Sequence, residues 1–366
     1  MNAPSLPPFR PLRMVEPRVS VTRRANGEII LENPYRLLPV PANVIEPFRI
    51  WAAAAPDRVW LAERPSPGAP WRTCTYAEAL DAIARIASGL LALSGGAPKP
   101  LMILSGNSVN HALLSYGAIL AGMPVAPLSR AYSLMSSDFA RLDHCAELVE
   151  PGFVFADDGV LFEKALKRVA ARGARIIHEK RAAPGADSIA FAQLLTHAPE
   201  AAEGAYARLS HDSVAKFLFT SGSTGMPKAV INTHRMMCTN AVMARSLLAD
   251  PEGEEPSVSL SWLPWNHTFG GNAVLNGMTT SGGTLYLDGG LPQPGLFDET
   301  LRNLAEISPT SYSNVPAAYA MLIPALERDD ALAATFFRKL RGLAYGGAAL
   351  SQDLYDRIQK VAIRHY

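Results

Sequence analysis

The densest chemistry in this sequence lies in nine residues, Thr220-Ser-Gly-Ser-Thr-Gly-Met-Pro-Lys228. Thr220, Ser221, Ser223 and Thr224 offer hydroxyl donors. Gly222 and Gly225 let backbone N–H groups turn inward where a Cβ would obstruct. Lys228 adds a mobile positive charge. Runs of strand formers, Val214 to Phe219 and Ala229 to Thr233, flank the stretch and make it a loop between two strands. Hydroxyls, turning backbone and one cation suit a polyphosphate. An ordinary polar turn also uses Gly, Ser and Thr, but it has no call for the lysine. The spacing is not that of a Walker A loop, because Pro227 stands five residues after Gly222 and Ala229 follows Lys228.

A second stretch, Trp262-Leu-Pro-Trp-Asn-His-Thr-Phe-Gly-Gly-Asn272, follows a strand-like run and carries one histidine, His267. A histidine in this setting is a structural hydrogen-bonding residue or a polar contact for a ligand. Gly270-Gly271 would let a substrate approach the backbone, and Trp262, Trp265 and Phe269 either line a pocket or fill the core. A third stretch, Tyr345-Gly-Gly-Ala-Ala-Leu-Ser351, places two glycines at a strand end, where a ring can pack flat on backbone. Ser351 is also a helix N-cap candidate.

Strands alternating with helices must position these residues. Arg18 to Leu31 reads as a hairpin about Asn26-Gly27. Helical spacing covers Val44 to Ala54. Thr75-Tyr-Ala-Glu78 is a capping box opening a helix that Gly95-Gly96 stops. Strands at 100–105, 124–127, 153–156 and 175–178 alternate with helices at 109–121, 136–148 and 161–171. Past the loop, a helix spans 234–248, strands fall at 258–263, 284–287, 310–313 and 343–345, and helices at 296–307, 317–326 and 331–340. A last helix follows Ser351. Such alternation predicts an α/β fold: two lobes of largely parallel sheet flanked by helices. The expected division is an N-terminal arm over 1–40, a first lobe over 41–200 and a second over 201–366, with the cleft at the carboxyl ends of the second lobe's strands.

The composition is that of a globular protein, 48% hydrophobic and 18% charged over 366 residues. A net charge of +1 gives no electrostatic footprint for nucleic acid. Cys74, Cys145 and Cys238 are far apart, have no metal-ligand spacing and read as reduced thiols; no metal site is assigned. No signal peptide is read at the N-terminus, and the most apolar stretch, 112–126, is too broken for a membrane span. A cytoplasmic location is expected.

The stretch 220–228 resembles the phosphate loop of the adenylate-forming superfamily, which comprises acyl-CoA synthetases, luciferases and peptide-synthetase adenylation domains. The resemblance implies that Thr220, Ser221, Gly222, Ser223, Thr224, Gly225 and Lys228 hold the β- and γ-phosphates of ATP while a carboxylate attacks the α-phosphate. It places His267, Thr268 and Asn272 beside the acid, with His267 orienting the carboxylate. It places Tyr345, Gly346, Gly347, Ala348 and Ala349 between adenine and acyl group. Amino-acid-activating members carry an aspartate in the second stretch; Trp262 to Asn272 has none, which implies an acid without an amine. Ala121-Gly-Met-Pro-Val-Ala-Pro-Leu-Ser129 is similar to acyl-CoA synthetases. Glu16-Pro-Arg-Val-Ser-Val, Asp57-Arg-Val-Trp-Leu-Ala-Glu-Arg64, Asn266 to Asn272 and Asn314-Val-Pro316 resemble bacterial feruloyl-CoA synthetases. A small aromatic carboxylic acid is thus the implied partner, with ATP, Mg²⁺ and CoA; a fatty or other aryl acid ligase, or a non-catalytic nucleotide-binding remnant, are the alternatives.

Measured against that family the sequence is expected to be C-terminally incomplete. A Gly-x-Thr-Glu motif whose glutamate helps hold Mg²⁺, a ribose-binding aspartate and a mobile domain with a second lysine would follow Tyr366. The polypeptide alone is therefore expected to be inactive, with Ile358 and Val361 of the last helix left uncovered.

Overall fold

The computed structural model describes residues 14–96, 98–221, 225–250, 253 and 255–365. In chain order the strands are β1 (Ser20–Arg23), β2 (Ile29–Glu32), β3 (Val59–Glu63), β4 (Arg72–Thr75) and β5 (Leu101–Ile103). There follow β6 (Val125–Pro127), β7 (Phe153–Ala156), β8 (Arg175–His178), β9 (Ser188–Ala190) and β10 (Val214–Ser221). Last come β11 (Pro227–Thr233), β12 (Val258–Ser261), β13 (Thr284–Leu287), β14 (Ser311–Asn314) and β15 (Gly342–Tyr345).

The largest sheet has the order β11-β10-β6-β5-β7-β8-β9, and every pairing in it except β10–β11 is parallel. A second sheet runs β12-β13-β3-β4 and is parallel up to its antiparallel β3–β4 edge. The strands β14 and β15 pair in parallel, and β1 and β2 form the arm's hairpin with Val21 opposite Leu31. The fold is α/β, with parallel-rich sheets flanked by helices. Both sheets join strands from either side of residue 200, so a lobe boundary there does not describe the layering. The reason is long-range pairing: Leu285 of β13 pairs with Leu61 of β3, and Lys216 of β10 with Val125 of β6.

Local signals formed as expected. Thr75 Oγ1 accepts from the Glu78 N–H at 3.2 Å and Glu78 Oε2 from the Thr75 N–H at 2.8 Å, opening the helix Tyr76–Ser94, which ends on Gly95 at φ +63°. Ser351 caps the helix Gln352–Arg364 through the Leu354 N–H. That last helix corrects one expectation. Ile358 and Val361 are buried, packed in a cluster with Leu322, Leu326 and Phe336 from the helices before it. All three cysteines are buried free thiols. No helix among the described residues is long and apolar enough to cross a membrane.

Candidate functional site

The first motif is less loop than its sequence suggests. The β10–β11 ladder continues through Thr220↔Lys228 and Ser221↔Pro227, so the strands absorb both ends of the nine residues. Gly222, Ser223 and Thr224 lie outside the described residues. Thr220 and Lys228 stand directly opposite one another, and the side chains of such a pair share one face, about 5 Å apart at Cβ. Both are exposed. Gly225 has φ +83° and open space where a Cβ would lie, so the left-handed backbone itself requires glycine. His144, on the helix Ala140–Val149, pins the hairpin by Nε2 to the Pro227 carbonyl at 2.9 Å.

The second motif leaves β12 as a clamped turn. Asn107 donates through Nδ2 to the Leu263 carbonyl at 2.9 Å and accepts at Oδ1 from the Trp265 N–H at 3.2 Å. Trp262 donates from Nε1 to Asn314 Oδ1 at 3.1 Å. Trp265 is buried edge-on against the His111 ring, so it fills core. His267 is exposed, and its Nδ1 accepts from the Phe269 N–H at 3.2 Å. With Nδ1 accepting, the neutral ring carries its proton on Nε2, which leaves one donor for an anionic oxygen. Thr268 is exposed beside it.

From Phe269 to Asn276 the chain is a π-helix, which the sequence pattern did not announce. π-helical turns recur at functional sites. Here they correct the reading of Gly270 and Gly271. Both are buried; a Cβ on Gly270 would stand 2.5 Å from the Leu263 and Pro264 carbonyl oxygens, and one on Gly271 2.5 Å from the Trp265 oxygen. These glycines let the helix seat on the clamped turn rather than open backbone to a substrate.

Asn272 turns inward. Its Oδ1 accepts from Lys216 Nζ at 3.3 Å and its Nδ2 donates to Asn232 Oδ1 at 2.9 Å. Lys216 is buried on β10, registered opposite Asn232 of β11, and burial pushes its ammonium down to about 8. His111, buried nearby and influenced by the Lys216 charge, is pushed down to about 4, chiefly by burial. Lys216 escaped the sequence reading; a lysine inside the apolar run Val214 to Phe219 was the available signal.

The third motif ends β15. Tyr345 is half-exposed, Gly346 is partly buried, and Gly347, at φ +84°, Ala348 and Ala349 are exposed. The ring packed on Gly346 is the chain's own Phe269, and Tyr345 registers opposite Asn314, the residue that holds Trp262. The described parts of the three motifs are thus joined: β10–β11 to the π-helix through Lys216 and Asn272, and the π-helix to β15 through Phe269 and Gly346.

Next to this junction lies a cavity of about 990 Å³. The π-helix contributes Ala273 and Val274 to its wall, β12 and β14 contribute Ser259, Ser311 and Ser313, and Gly342 closes one side. Asn272 is not among the lining residues. The assembly can present Lys228 and Thr220 to anionic oxygens, a donor from His267, and a partly hydroxyl-walled chamber to an organic group.

The parallel-rich sheets, the polar hairpin and the histidine turn that leaves β12 form an α/β framework. Residues 48–365 match the model of the AMP-binding enzyme family, and the chain belongs to that family. It is 25% identical over 291 residues to "4-coumarate--CoA ligase 3" of Oryza sativa subsp. japonica, covering 77% of this chain and 48% of the relative. It is 30% identical over 156 residues to "Long-chain-fatty-acid--CoA ligase" of Bacillus subtilis, covering 41% of this chain and 25% of the relative. An adenylation domain of a keto acid-selecting NRPS module bound to keto acyl adenylate superposes with a TM-score of 0.69 at 19% identity, over 90% of this chain and 58% of that one, which shows the shared fold. The chain spans about half the length, or less, of these curated relatives.

Proposed function

We propose that this chain forms the carboxylate-activating part of an AMP-forming acyl-CoA synthetase acting on a hydroxycinnamate such as ferulate. The observation that carries the reading is the joining of the β10–β11 hairpin that bears Lys228, the turn that bears His267 and the Gly346 strand end through the Lys216–Asn272 and Phe269–Gly346 contacts. In the reaction a carboxylate oxygen attacks the α-phosphorus of ATP, the bond to the β-phosphate oxygen breaks, and pyrophosphate leaves with the electron pair. The thiol of CoA then attacks the acyl carbon and AMP departs. Lys228 and the hydroxyls of the hairpin offset charge on the leaving pyrophosphate, and His267 Nε2 holds the attacking carboxylate in line.

Among the described residues no three His, Cys, Asp or Glu side chains gather to hold a metal ion. The roles argued above stay with this chain's own side chains. The serines on β12 and β14, facing the small apolar residues of the π-helix, suit a flat ring with oxygen substituents better than a bare alkyl chain. The complete reaction is proposed for a full-length protein carrying this chain, because the chain spans about half the length, or less, of the CoA ligases it matches.

The test is ferulate-dependent ATP–pyrophosphate exchange in the full-length protein, with His267→Ala beside it. Exchange with ferulate that falls at least tenfold in the variant supports the reading. A preference for amino acids over ferulate, or a variant as fast as the parent, overturns it.

A further inference from the structure

Part of the cavity wall comes from the N-terminal arm. Asn33, Tyr35 and Leu37 all line it, and alternation along an extended segment puts such residues on one side. The arm is tied down by specific bonds. The Val15 N–H donates to the Leu247 carbonyl at 2.9 Å, Met14 bridges Leu248, and the Leu38 N–H donates to Ser246 Oγ at 3.0 Å. All three partners lie just past the helix His234–Arg245, whose Ala241 and Ala244 also line the cavity. The Tyr35 hydroxyl donates to the Glu16 carbonyl at 2.6 Å, closing the arm on itself and fixing the ring. Strand and helix supply other parts of the wall, among them Ser259, Ser313, Val274 and Gly277, and the irregular segments at 246–248 and 255–257 supply more.

We propose that this arm sets the length of acid the cavity accepts, with Tyr35 and Leu37 as the specificity-determining residues at its outer end. The inference rests on the cavity being the acid site. A chamber of about 990 Å³ is larger than a hydroxycinnamoyl group needs to be enclosed, so a longer acid has room to reach the arm. Leu37 is 49% exposed, so truncating it removes wall without excavating the core.

The experiment is calorimetric titration of the full-length protein with non-hydrolysable acyl-sulfamoyl adenosines of hexanoic, decanoic, tetradecanoic and ferulic acid. The wild type is compared with Tyr35→Ala/Leu37→Ala and with Leu37→Trp, each checked for an unchanged melting profile. The double alanine variant is expected to gain at least tenfold for tetradecanoyl over hexanoyl relative to the wild type, and Leu37→Trp to shift the ratio the opposite way. Should the alanine variant fail to fold, the opposite shift in Leu37→Trp still carries the test. A wild type that binds the compounds, with a length profile that neither variant moves, overturns the role of the arm and leaves the acid site standing. A folded wild type that binds none of them overturns both.

Discussion

Gly346, at the end of β15, lies against the ring of Phe269, at the start of the π-helix: a Cβ on the glycine would stand 3.2 Å from Phe269 Cε1. The contact ties the strand end of the third motif to the turn that carries His267, two residues before the ring. Gly346 does not have positive φ, so its requirement is space and not backbone freedom. Gly346→Val should push the ring off its seat and cost about 1–3 kcal/mol of stability through overpacking. In a Phe269→Ala background the same change should cost clearly less, a coupling on the order of 1 kcal/mol by double-mutant cycle in urea. Additive losses would mean that some other neighbour makes the glycine necessary.

Lys228 faces Thr220 across the β10–β11 ladder and has no ion-pair partner among the described residues. A cation held at the mouth of a hairpin, without a carboxylate to neutralise it, is available to an incoming anion. Lys228→Ala in the full-length protein should slow pyrophosphate exchange by about 10²–10³-fold, the usual cost of losing one charge-assisted contact in a transition state. The affinity for the carboxylic acid should change little, because the lysine is assigned to phosphate. Exchange at the parental rate would remove Lys228 from the phosphate site.

Features encoded in neighbouring residues could be read directly. The Asn26-Gly27 hairpin, the Thr75–Glu78 capping box and the Ser351 cap each depend on a few adjacent side chains, and each is in place. The alternation of strand and helix gave the α/β class for the same reason. Partnership between strands is different. Nothing within β3 states that Leu61 will meet Leu285, so a boundary near residue 200 looked reasonable although the sheets cross it. The π-helix was hidden because its period is neither that of an ordinary helix nor that of a strand. The pair Gly270-Gly271 therefore suggests open backbone, whereas close approach of the Leu263, Pro264 and Trp265 carbonyls is what excludes a Cβ. Of the site, the three motifs were legible, and the link between them through Lys216 and Asn272 was not.

Lys216 allows the last of these readings to be tested on the folded chain itself. Its side chain is buried between β10, β11 and the π-helix, with Asn272 Oδ1 as its hydrogen-bond acceptor. Desolvation penalises the charged form, and the ammonium falls from an ordinary 10.5 to about 8. Between these two values the unfolded chain still holds the proton that the folded chain has released. Stability contributed by this residue therefore rises with pH across the window from about 8 to 10.5, and below it the burial penalty is present in full. The shift corresponds to about 3 kcal/mol. Lys216→Met removes the charge, and with it the pH-dependent part. It also strips Asn272 Oδ1 of a donor, a loss of about 1–3 kcal/mol that does not vary with pH in this range. The net change at pH 7 can thus be small, and the slope is the diagnostic quantity. Urea unfolding at pH 7, 8, 9 and 10 should show the wild type gaining on Lys216→Met steadily above pH 8. Parallel curves would mean that Lys216 is not buried as a charged group, and that the link between the β10–β11 hairpin and the π-helix rests on other contacts.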